Sequence, residues 1–492
     1  MTMAFDLVIR GGTVATACDR FHGDIGITGD RIVALGHDLQ GAEVIDASGK
    51  LVLPGGIEAH CHIAQESATG GMTADDYRSG SISAAFGGNS SFVPFAAQHR
   101  GKGVTETLDL YDSRAQGASV IDYGYHLIVA DPTETVLRDE LPAAFARGVT
   151  SFKVFMTYDR MKIDDRQFLE ILSVARAHGA LTMVHAENSG LIGWMTERLM
   201  AGGHTAPRFH AISHPAAAEA EAINRAVTFA RFLDAPLMIV HVSTPEGADI
   251  VARARLEGVR VYAETCPQYL FLGRDDLDQP GMEGAKFMCS PPPRDAASAA
   301  EIWRHLAVGT FSLFSSDHAP YRYDASGKLS GGAQAPFNAI ANGMPGLAVR
   351  LPLLFSEGVL KGRISLEQFV ALSATNAAKL YGMAPAKGSI AVGGDADIAI
   401  WDPGLTRTVR LEDQHDAMDY TPYEGMALTG WPVTVLSRGE RVVDAGRLVA
   451  EPGRGRYIAR GRPDLGASAA GRPAELDPAR NFGADLLRED EG

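Results

Sequence analysis

Between residues 150 and 315 the sequence alternates short apolar runs with longer segments of helical periodicity. Residues 181–185 read as a strand, and residues 165–178 place apolar side chains at the spacing of one helix face. Such repeated βα units predict a parallel sheet, and their number favours a closed (β/α)8 barrel, with a doubly wound open sheet as the alternative. Further strand-like runs cover 150–156, 236–241, 259–264 and 310–315, and further helical ones 214–234 and 245–257.

Both ends of the chain are patterned instead as short strands separated by turns. Because chain termini often lie close together, we expect the two ends to form one small β-sandwich domain. The predicted α/β organisation is a barrel over residues 54–384, with residues 1–53 and 385–460 forming the β-sandwich. Residues 461–492, rich in Arg, Ala, Pro, Gly and acids, are expected to form a C-terminal arm or a disordered tail.

Composition excludes several classes of protein. A net charge of −15 argues against a nucleic-acid-binding surface, and no apolar run is long enough to cross a membrane. The first residues lack the features of a signal peptide, and the four cysteines show no paired spacing, so free thiols are expected. These features indicate a cytoplasmic protein that acts on a small molecule, without a nucleic-acid or membrane partner.

Side chains with metal-ligating chemistry recur at the ends of the predicted strands. His60 and His62 project from one face of an extended segment, while Cys61 between them points to the other face and is expected to pack. Singly, a histidine here suits hydrogen-bonded packing, Lys153 suits a snorkelling surface lysine, and Asp317 suits a turn cap. Because barrel active sites lie at the carboxyl ends of the strands, their joint placement favours a metal site at one mouth. The six candidates are His60, His62, Lys153, His185, His241 and Asp317.

An ordered set of segments resembles the amidohydrolase superfamily in its hydantoinase/dihydropyrimidinase branch, and the likeness runs from about Asp6 to Gly446. The resemblance implies two divalent metal ions, usually zinc, bridged by an N6-carboxylated Lys153. It assigns one metal to His60, His62 and Asp317, and the other to His185 and His241. The segments are residues 54–62, 148–158, 184–188, 264–270 and 316–320.

The chemistry that this resemblance implies is physically consistent. Burial of Lys153 favours its neutral amine, which can add carbon dioxide to form an anionic carbamate. A hydroxide that bridges two metals roughly 3.5–4 Å apart is a nucleophile near neutral pH. Asp317 accepts the proton of the attacking water and delivers it to the leaving nitrogen as general base and acid. The implied reaction opens a hydantoin or dihydropyrimidine ring, a cyclic ureide or imide, to an N-carbamoyl amino acid.

Three further positions match the same branch. Tyr158 resembles the tyrosine that hydrogen-bonds the substrate carbonyl and its developing oxyanion, although a tyrosine packed at a loop edge is the alternative. Ser290 and Asn342 resemble positions that hold the cyclic amide largely through main-chain groups. Ser-Pro and Asn-Gly pairs also favour turns, so a purely structural role is the alternative for both residues.

The sequence departs from the usual pattern of the branch near the paired histidines. Glu58 and Cys61 stand where Asp and Thr are usual, which spares the six candidate ligands. Residues 242–246 are closer to allantoinase-like relatives. Residues 63–72 lack the aromatic side chain of many hydantoinases, which leaves the preferred ring substituent open.

Three other functions compete with hydrolysis of hydantoins. Tyr158 and residues 266–269 argue against allantoinase. A dihydroorotase is expected to have an arginine just after the paired histidines, where Ile63 and Ala64 stand. Cytoskeletal scaffold relatives have lost metal ligands, whereas this chain keeps all six candidates. The resemblance also implies a homotetramer or a homodimer.

Overall fold

A computed structural model of the protein describes residues 5–66 and 71–487. Its strands are β1 (Phe5–Ala15), β2 (Arg20–Thr28), β3 (Arg31–Gly36), β4 (Gly41–Asp46), β5 (Leu51–Pro54), β6 (Gly56–Glu58), β7 (Asn89–Phe92), β8 (Phe95–Ala97), β9 (Asp122–Tyr123), β10 (His126–Ile128), β11 (Ser151–Phe155), β12 (Leu181–His185), β13 (Leu237–Ile239), β14 (Val261–Thr265), β15 (Leu313–Phe314), β16 (Ile398–Thr408), β17 (Ala427–Ser437), β18 (Glu440–Asp444) and β19 (Arg447–Leu448).

The α-helices lie mostly between the central strands. They are α1 (Tyr77–Phe86), α2 (Val104–Ala115), α3 (Leu141–Ala146), α4 (Asp165–His178), α5 (Ser189–Ala201), α6 (Phe209–Ser213), α7 (Ala216–Leu233), α8 (Pro245–Leu256), α9 (Gln268–Phe271), α10 (Ala296–Ala307), α11 (Arg350–Leu354), α12 (Leu366–Val370) and α13 (Asn376–Leu380). Among the described residues, no helix combines the length and the apolar character needed to span a membrane.

Local sequence explains where these elements start and stop, as helix α4 illustrates. Asp164 caps its first turn by accepting a hydrogen bond from the Gln167 N–H, and the Gln167 side-chain oxygen accepts one from the Asp164 N–H. The helix ends at Gly179, whose φ of 73° is left-handed and suits glycine. Phe168, Ile171, Leu172 and Ala175 form its buried face. Helix α4 thus packs its apolar face against the sheet and exposes its opposite, mostly polar face to solvent.

The central strands form a closed parallel barrel. Strand β8 is followed in space by β10, β11, β12, β13, β14 and β15, and a second parallel sheet joins β6, β7 and β9. The barrel closes where the His62 N–H donates to the His318 carbonyl at 2.8 Å. The buried Arg350 donates to the carbonyls of Phe314 and Ile57, which also ties the last strand to the first. The fold is therefore the expected (β/α)8 barrel, and the open-sheet alternative is wrong.

The two chain ends meet in a separate, largely antiparallel sheet, as expected. Strand β5 pairs with β1 on one side and with β16 on the other, where Ile398 lies opposite Pro54. The order of strands is β19, β18, β17, β16, β5, β1, β2 and β3, with β4 beside β1. Apolar side chains from both ends, among them Val14, Ile25 and Ile398, form its own buried cluster. The expected β-sandwich is confirmed, and all four cysteines are free.

The segment of the chain that follows this sheet packs against the barrel. The buried Arg460 donates to the Ser151 hydroxyl at 3.0 Å and to the Tyr125 carbonyl. The Gly461 N–H donates to the Gly382 carbonyl at 2.8 Å, and the Asp464 N–H donates to the Lys379 carbonyl at 2.9 Å. These contacts fasten the start of the C-terminal segment to the barrel.

Candidate metal centre

One cavity of about 190 Å³ opens at the carboxyl ends of the barrel strands. It brings together all nine side chains that the sequence singles out, although they come from distant parts of the chain. The nine are His60, His62, Lys153, Tyr158, His185, His241, Ser290, Asp317 and Asn342.

His60 and His62 follow the first barrel strand rather than ending it. Strand β6 stops at Glu58, and Cys61 then pairs in parallel with His318 from beyond the last strand. The Nε2 atoms of His60 and His62 lie 3.0 and 3.3 Å from Asp317 Oδ1. Cys61 is fully buried and does not line the cavity. Two imidazoles and one carboxylate therefore converge on one point.

The other ring nitrogens of these histidines are held by side chains that the sequence does not single out. His60 Nδ1 pairs with a carboxylate oxygen of Glu264, and His62 Nδ1 lies 2.8 Å from Gln65 Oε1. His185 Nε2 lies 2.7 Å from Glu187 Oε2. Partners of this kind fix the orientation of a metal-ligating imidazole. Glu187 and Gln65 follow a candidate histidine by two and three residues, which is a signal that sequence reasoning can use.

A second group of donors lies beside the first. The rings of His185 and His241 have centroids 4.5 Å apart, and His241 lies 5.5 Å from His60. Lys153 Nζ lies 5.2 Å from the ring centres of both Phe95 and Phe155. Lys153 Nζ and His241 Nδ1 are buried and have no hydrogen-bond partner among the described residues. Because both side chains line the cavity, these two nitrogens are available to a group that binds there.

The donor set suits divalent metal ions. Imidazole nitrogen and carboxylate oxygen are common ligands of zinc and similar divalent ions. The unpaired nitrogens of Lys153 and His241 are available as further ligands. Burial lowers the pKa of Lys153 to about 8, against the opposing effects of Glu264 and Asp317. A neutral amine at this position can react with carbon dioxide, whereas an ammonium cannot. The residues present therefore fit both metal ions and a carboxylated lysine.

The charges in the site keep Asp317 ionised. Burial by itself would raise the pKa of the Asp317 carboxyl, but His60 and His62 hold it well below its usual range. Burial would likewise lower the pKa of His60, but the carboxylates of Glu264 and Asp317 raise it to about 9. The cavity thus holds an ionised acid among histidines in the metal-free protein.

Three residues of the cavity have strained backbone conformations. Tyr158, His241 and Asp317 adopt left-handed conformations, with φ values of 69°, 39° and 49°. This region costs a non-glycine residue free energy, and such residues cluster at active sites and ligand sites. All three side chains line the cavity. The fold therefore holds the backbone at these three positions in a conformation that non-glycine residues rarely adopt.

Tyr158, Ser290 and Asn342 form one wall of the cavity. Burial raises the pKa of the Tyr158 hydroxyl, while hydrogen-bonding contacts with Ser290 and Asn342 oppose this shift. Tyr158 is therefore a protonated donor at neutral pH. Ser290 Oγ also lies 3.4 Å from His210 Nε2 and 3.5 Å from His214 Nε2. The wall is consequently backed by buried polar groups.

The unusual residues near the paired histidines have identifiable places. The Glu58 carboxylate accepts hydrogen bonds from the N–H groups of His60 and Ser316 at 2.9 and 3.2 Å, and it pairs with Arg350 at 2.8 Å. Glu58 thus fastens the histidine segment to the last strand. Of the 63–72 loop, residues 67–70 lie outside the described residues, so its influence on the ring substituent stays a prediction.

Comparison with known proteins agrees with the motifs. The Amidohydrolase family model matches residues 51–442. D-hydantoinases from Geobacillus stearothermophilus and Ralstonia pickettii are 42% and 44% identical, each over 92% of this chain and over 96% and 99% of the relative. The solved dihydropyrimidinase from Brevibacillus agri NCHU1002 has a TM-score of 0.90 and 42% identity, over 93% of this chain and 99% of that one. The chain therefore belongs to the amidohydrolase family, in its hydantoinase/dihydropyrimidinase branch.

Proposed function

We propose that this protein is a metal-dependent hydrolase that opens hydantoin or dihydropyrimidine rings to N-carbamoyl amino acids. The observation that carries the proposal is the single cavity in which six candidate ligands and three candidate substrate contacts meet. The relatives named D-hydantoinase and dihydropyrimidinase support the class of substrate. A small cyclic ureide or imide also suits a cavity of about 190 Å³.

His60, His62 and Asp317 would hold one divalent ion, and His185 and His241 would hold a second, with zinc as the proposed metal. Lys153 would join the two after its neutral amine forms a bond to the carbon of carbon dioxide and releases a proton. The resulting carbamate has two oxygens and a negative charge, so it can serve two cations. The unpaired Nζ of Lys153 in its apolar surroundings supports this assignment.

Bound divalent ions supply Lewis-acid polarisation of a carbonyl and lower the pKa of water in the site. Asp317 takes the proton of the attacking water and returns it to the nitrogen that leaves when the ring C–N bond breaks. The approach of its Oδ1 to the Nε2 atoms of His60 and His62 places the carboxylate at the point where these two histidines would hold the metal ion. No serine or cysteine nucleophile is needed, and Cys61 lies buried outside the cavity.

Tyr158 would hydrogen-bond the carbonyl oxygen as negative charge develops on it. Because burial keeps its hydroxyl protonated, it remains a donor throughout the neutral pH range. The left-handed backbone at Tyr158 supports a defined direction for this donor. Ser290 and Asn342, which contact Tyr158, would hold the ring on the same wall.

The decisive experiment is a turnover panel with metal content measured on the same sample. The panel contains dihydrouracil, hydantoin, 5-phenylhydantoin, allantoin and dihydroorotate. We expect hydrolysis of the hydantoins or dihydrouracil by protein that carries two metal ions per chain. Turnover of allantoin or dihydroorotate alone would replace the proposed substrate class. Metal-free, inactive protein with an unmodified Lys153 would favour a scaffold role instead.

We also propose that the protein assembles into a homotetramer or a homodimer, in keeping with the resemblance to its branch of the family. Light scattering at working concentration is expected to give four or two times the monomer mass of 52.3 kDa. A monomer under these conditions would refute this proposal and would leave the proposed reaction untouched.

A further inference from the structure

Lys328 is a fully buried lysine that lies outside the cavity lining. Its Nζ donates hydrogen bonds to the Met288 carbonyl at 3.0 Å and to the Ala341 carbonyl at 2.9 Å. Within the described residues it forms no ion pair, which distinguishes it from the buried lysine Lys387 with its three carboxylates. The contacts of its charged end are therefore main-chain carbonyls.

These two carbonyls belong to the two segments that form the substrate wall. Met288 lies two residues before Ser290, and Ala341 immediately precedes Asn342. The Gly343 N–H also donates to the Met288 carbonyl, at 2.9 Å. One hydrogen bond thus joins segments 288–290 and 341–343 directly. Lys328 bridges the same two segments through two further hydrogen bonds, one to each segment.

Peptide planarity carries the effect of Lys328 to the wall itself. The C=O of one residue and the N–H of the next lie in one rigid plane and point in opposite directions. A bond that holds the Ala341 carbonyl therefore also sets the direction of the Asn342 N–H. A bond that holds the Met288 carbonyl sets the direction of the Cys289 N–H in the same way. Both Cys289 and Asn342 line the cavity.

The surroundings leave these segments little freedom to adjust. A Cβ atom on Gly343 would lie 2.5 Å from both the Cβ and the carbonyl oxygen of Ala319, so the 341–343 segment is packed directly on its neighbour. Burial lowers the pKa of Lys328 to about 7, while the nearby Cys289 thiol opposes this shift. Burial of this amine costs free energy, and the hydrogen bonds that offset the cost go to the two wall carbonyls.

We propose that Lys328 is a positioning residue for substrate, which locks the main-chain groups of the Ser290 and Asn342 segments in the orientation that receives the cyclic amide ring. This inference rests on the proposed function, because it takes these segments to be the substrate wall. Lys328 does not touch the reacting atoms, and it acts through the Met288 and Ala341 carbonyls.

The kinetic test uses the metal-loaded full chain with Lys328→Met, which keeps the length of the side chain but removes its donors. A wall that holds the ring equally in the ground and transition states affects KM rather than kcat, so we expect KM to rise about tenfold with kcat within about threefold. Lys328→Arg retains donors and is expected to recover at least half of the lost kcat/KM. Lys102→Met, at an exposed lysine that pairs with Glu106, is the matched control and should leave both constants unchanged.

An unchanged KM in Lys328→Met would overturn the inference, whatever happens to kcat, metal content or thermal stability. Hydrogen exchange without substrate provides a readout that does not depend on turnover. We expect faster exchange at 288–290 and 341–343 in Lys328→Met, with the rest of the barrel unchanged, and equal protection in both proteins would refute the proposal. If the parent protein hydrolyses no cyclic amide while this exchange difference is found, the proposed function fails and the anchoring role stands.

Discussion

Two buried clusters of charge in this molecule contain a lysine, and they differ in how completely the lysine is paired. At the junction of barrel and β-sandwich, Lys387 Nζ lies 2.6 Å from Asp397, 3.0 Å from Asp122 and 3.0 Å from Asp395. At the mouth of the barrel, Lys153 Nζ has no hydrogen-bond partner among the described residues. Although burial opposes it, the carboxylates raise the pKa of Lys387, whereas burial lowers the pKa of Lys153 to about 8.

This contrast distinguishes a charge cluster with a structural role from the candidate metal site. Asp122 belongs to barrel strand β9, while Asp397 lies just before β16 of the β-sandwich. The Lys387 cluster therefore links the barrel to the β-sandwich. Every charge in it has a partner within the chain, since Arg438 also pairs with Asp122 at 3.0 Å. In the cluster around Lys153, by contrast, the lysine nitrogen has no partner among the described residues, which leaves it free for the proposed metal-bridging role. Burial of charge alone therefore does not mark a functional site, and what distinguishes Lys153 is an unpaired buried nitrogen that also lines the cavity.

The largest effect is expected at Lys153. Lys153→Ala and Lys153→Met should each lower kcat/KM by roughly 10³-fold or more, because they remove the proposed bridge between the metals. Metal analysis should show fewer than two ions per chain. Lys153→Met should leave the unfolding free energy of chelator-treated protein equal or higher, since it removes an unpaired buried amine. Two bound metals with full turnover in either variant would contradict the assignment.

The same substitution at Lys387 should act on stability instead. Lys387→Met leaves Asp122, Asp395 and Asp397 with one fewer cation, and breaking a buried ion pair costs roughly 3–5 kcal/mol. Urea unfolding should detect this loss, while kcat/KM per folded molecule stays within about twofold. A loss of activity at full stability would mean that the two clusters do not divide the roles in this way.

Tyr158 tests whether the wall takes part in the chemistry. Tyr158→Phe removes one hydroxyl donor from the cavity, and loss of an oxyanion donor typically costs about 3 kcal/mol, or roughly 10²-fold in kcat. Metal content should not change, because Tyr158 is not a proposed ligand. A variant with a raised KM and an unchanged kcat would show that Tyr158 only holds the ring.

Local patterns predicted much of the fold, because they depend on nearby residues. Helix α4 and strand β12 have the predicted bounds of 165–178 and 181–185. The predicted strand over 236–241 shortens to Leu237–Ile239, since the chain turns into a left-handed conformation at His241. Strand periodicity carries no information about such a turn.

The candidate site was predictable only in part. Its nine side chains share the carboxyl end of the barrel, and this follows from the βα rhythm together with the family motifs. Gln65 and Glu187 lie close in sequence to the histidines that they contact, but other supporting contacts join residues that are far apart. Glu264 meets His60 across 204 positions, and Lys328 reaches the carbonyl of Met288 across 40. Partners of this kind emerge only from the closed barrel, because no local spacing relates them.

Asp416 provides the smallest and most graded test, since it is a partly buried acid beside the buried acid Asp75. Burial and the neighbouring Asp75 raise its pKa from 3.8 to about 6, although His318 and the Met418 N–H oppose this. A carboxyl group whose pKa is higher in the folded state stabilises the fold at pH values below its pKa in the unfolded chain. This stabilisation is lost as the pH rises through 6, the pKa in the folded state. Asp416→Asn should therefore gain about 2 kcal/mol over the parent at pH 8 and about half as much at pH 5. Urea unfolding at both pH values measures this difference, and a variant that is less stable than the parent at pH 8 would show that the Asp416 carboxylate is paired as fully as those around Lys387.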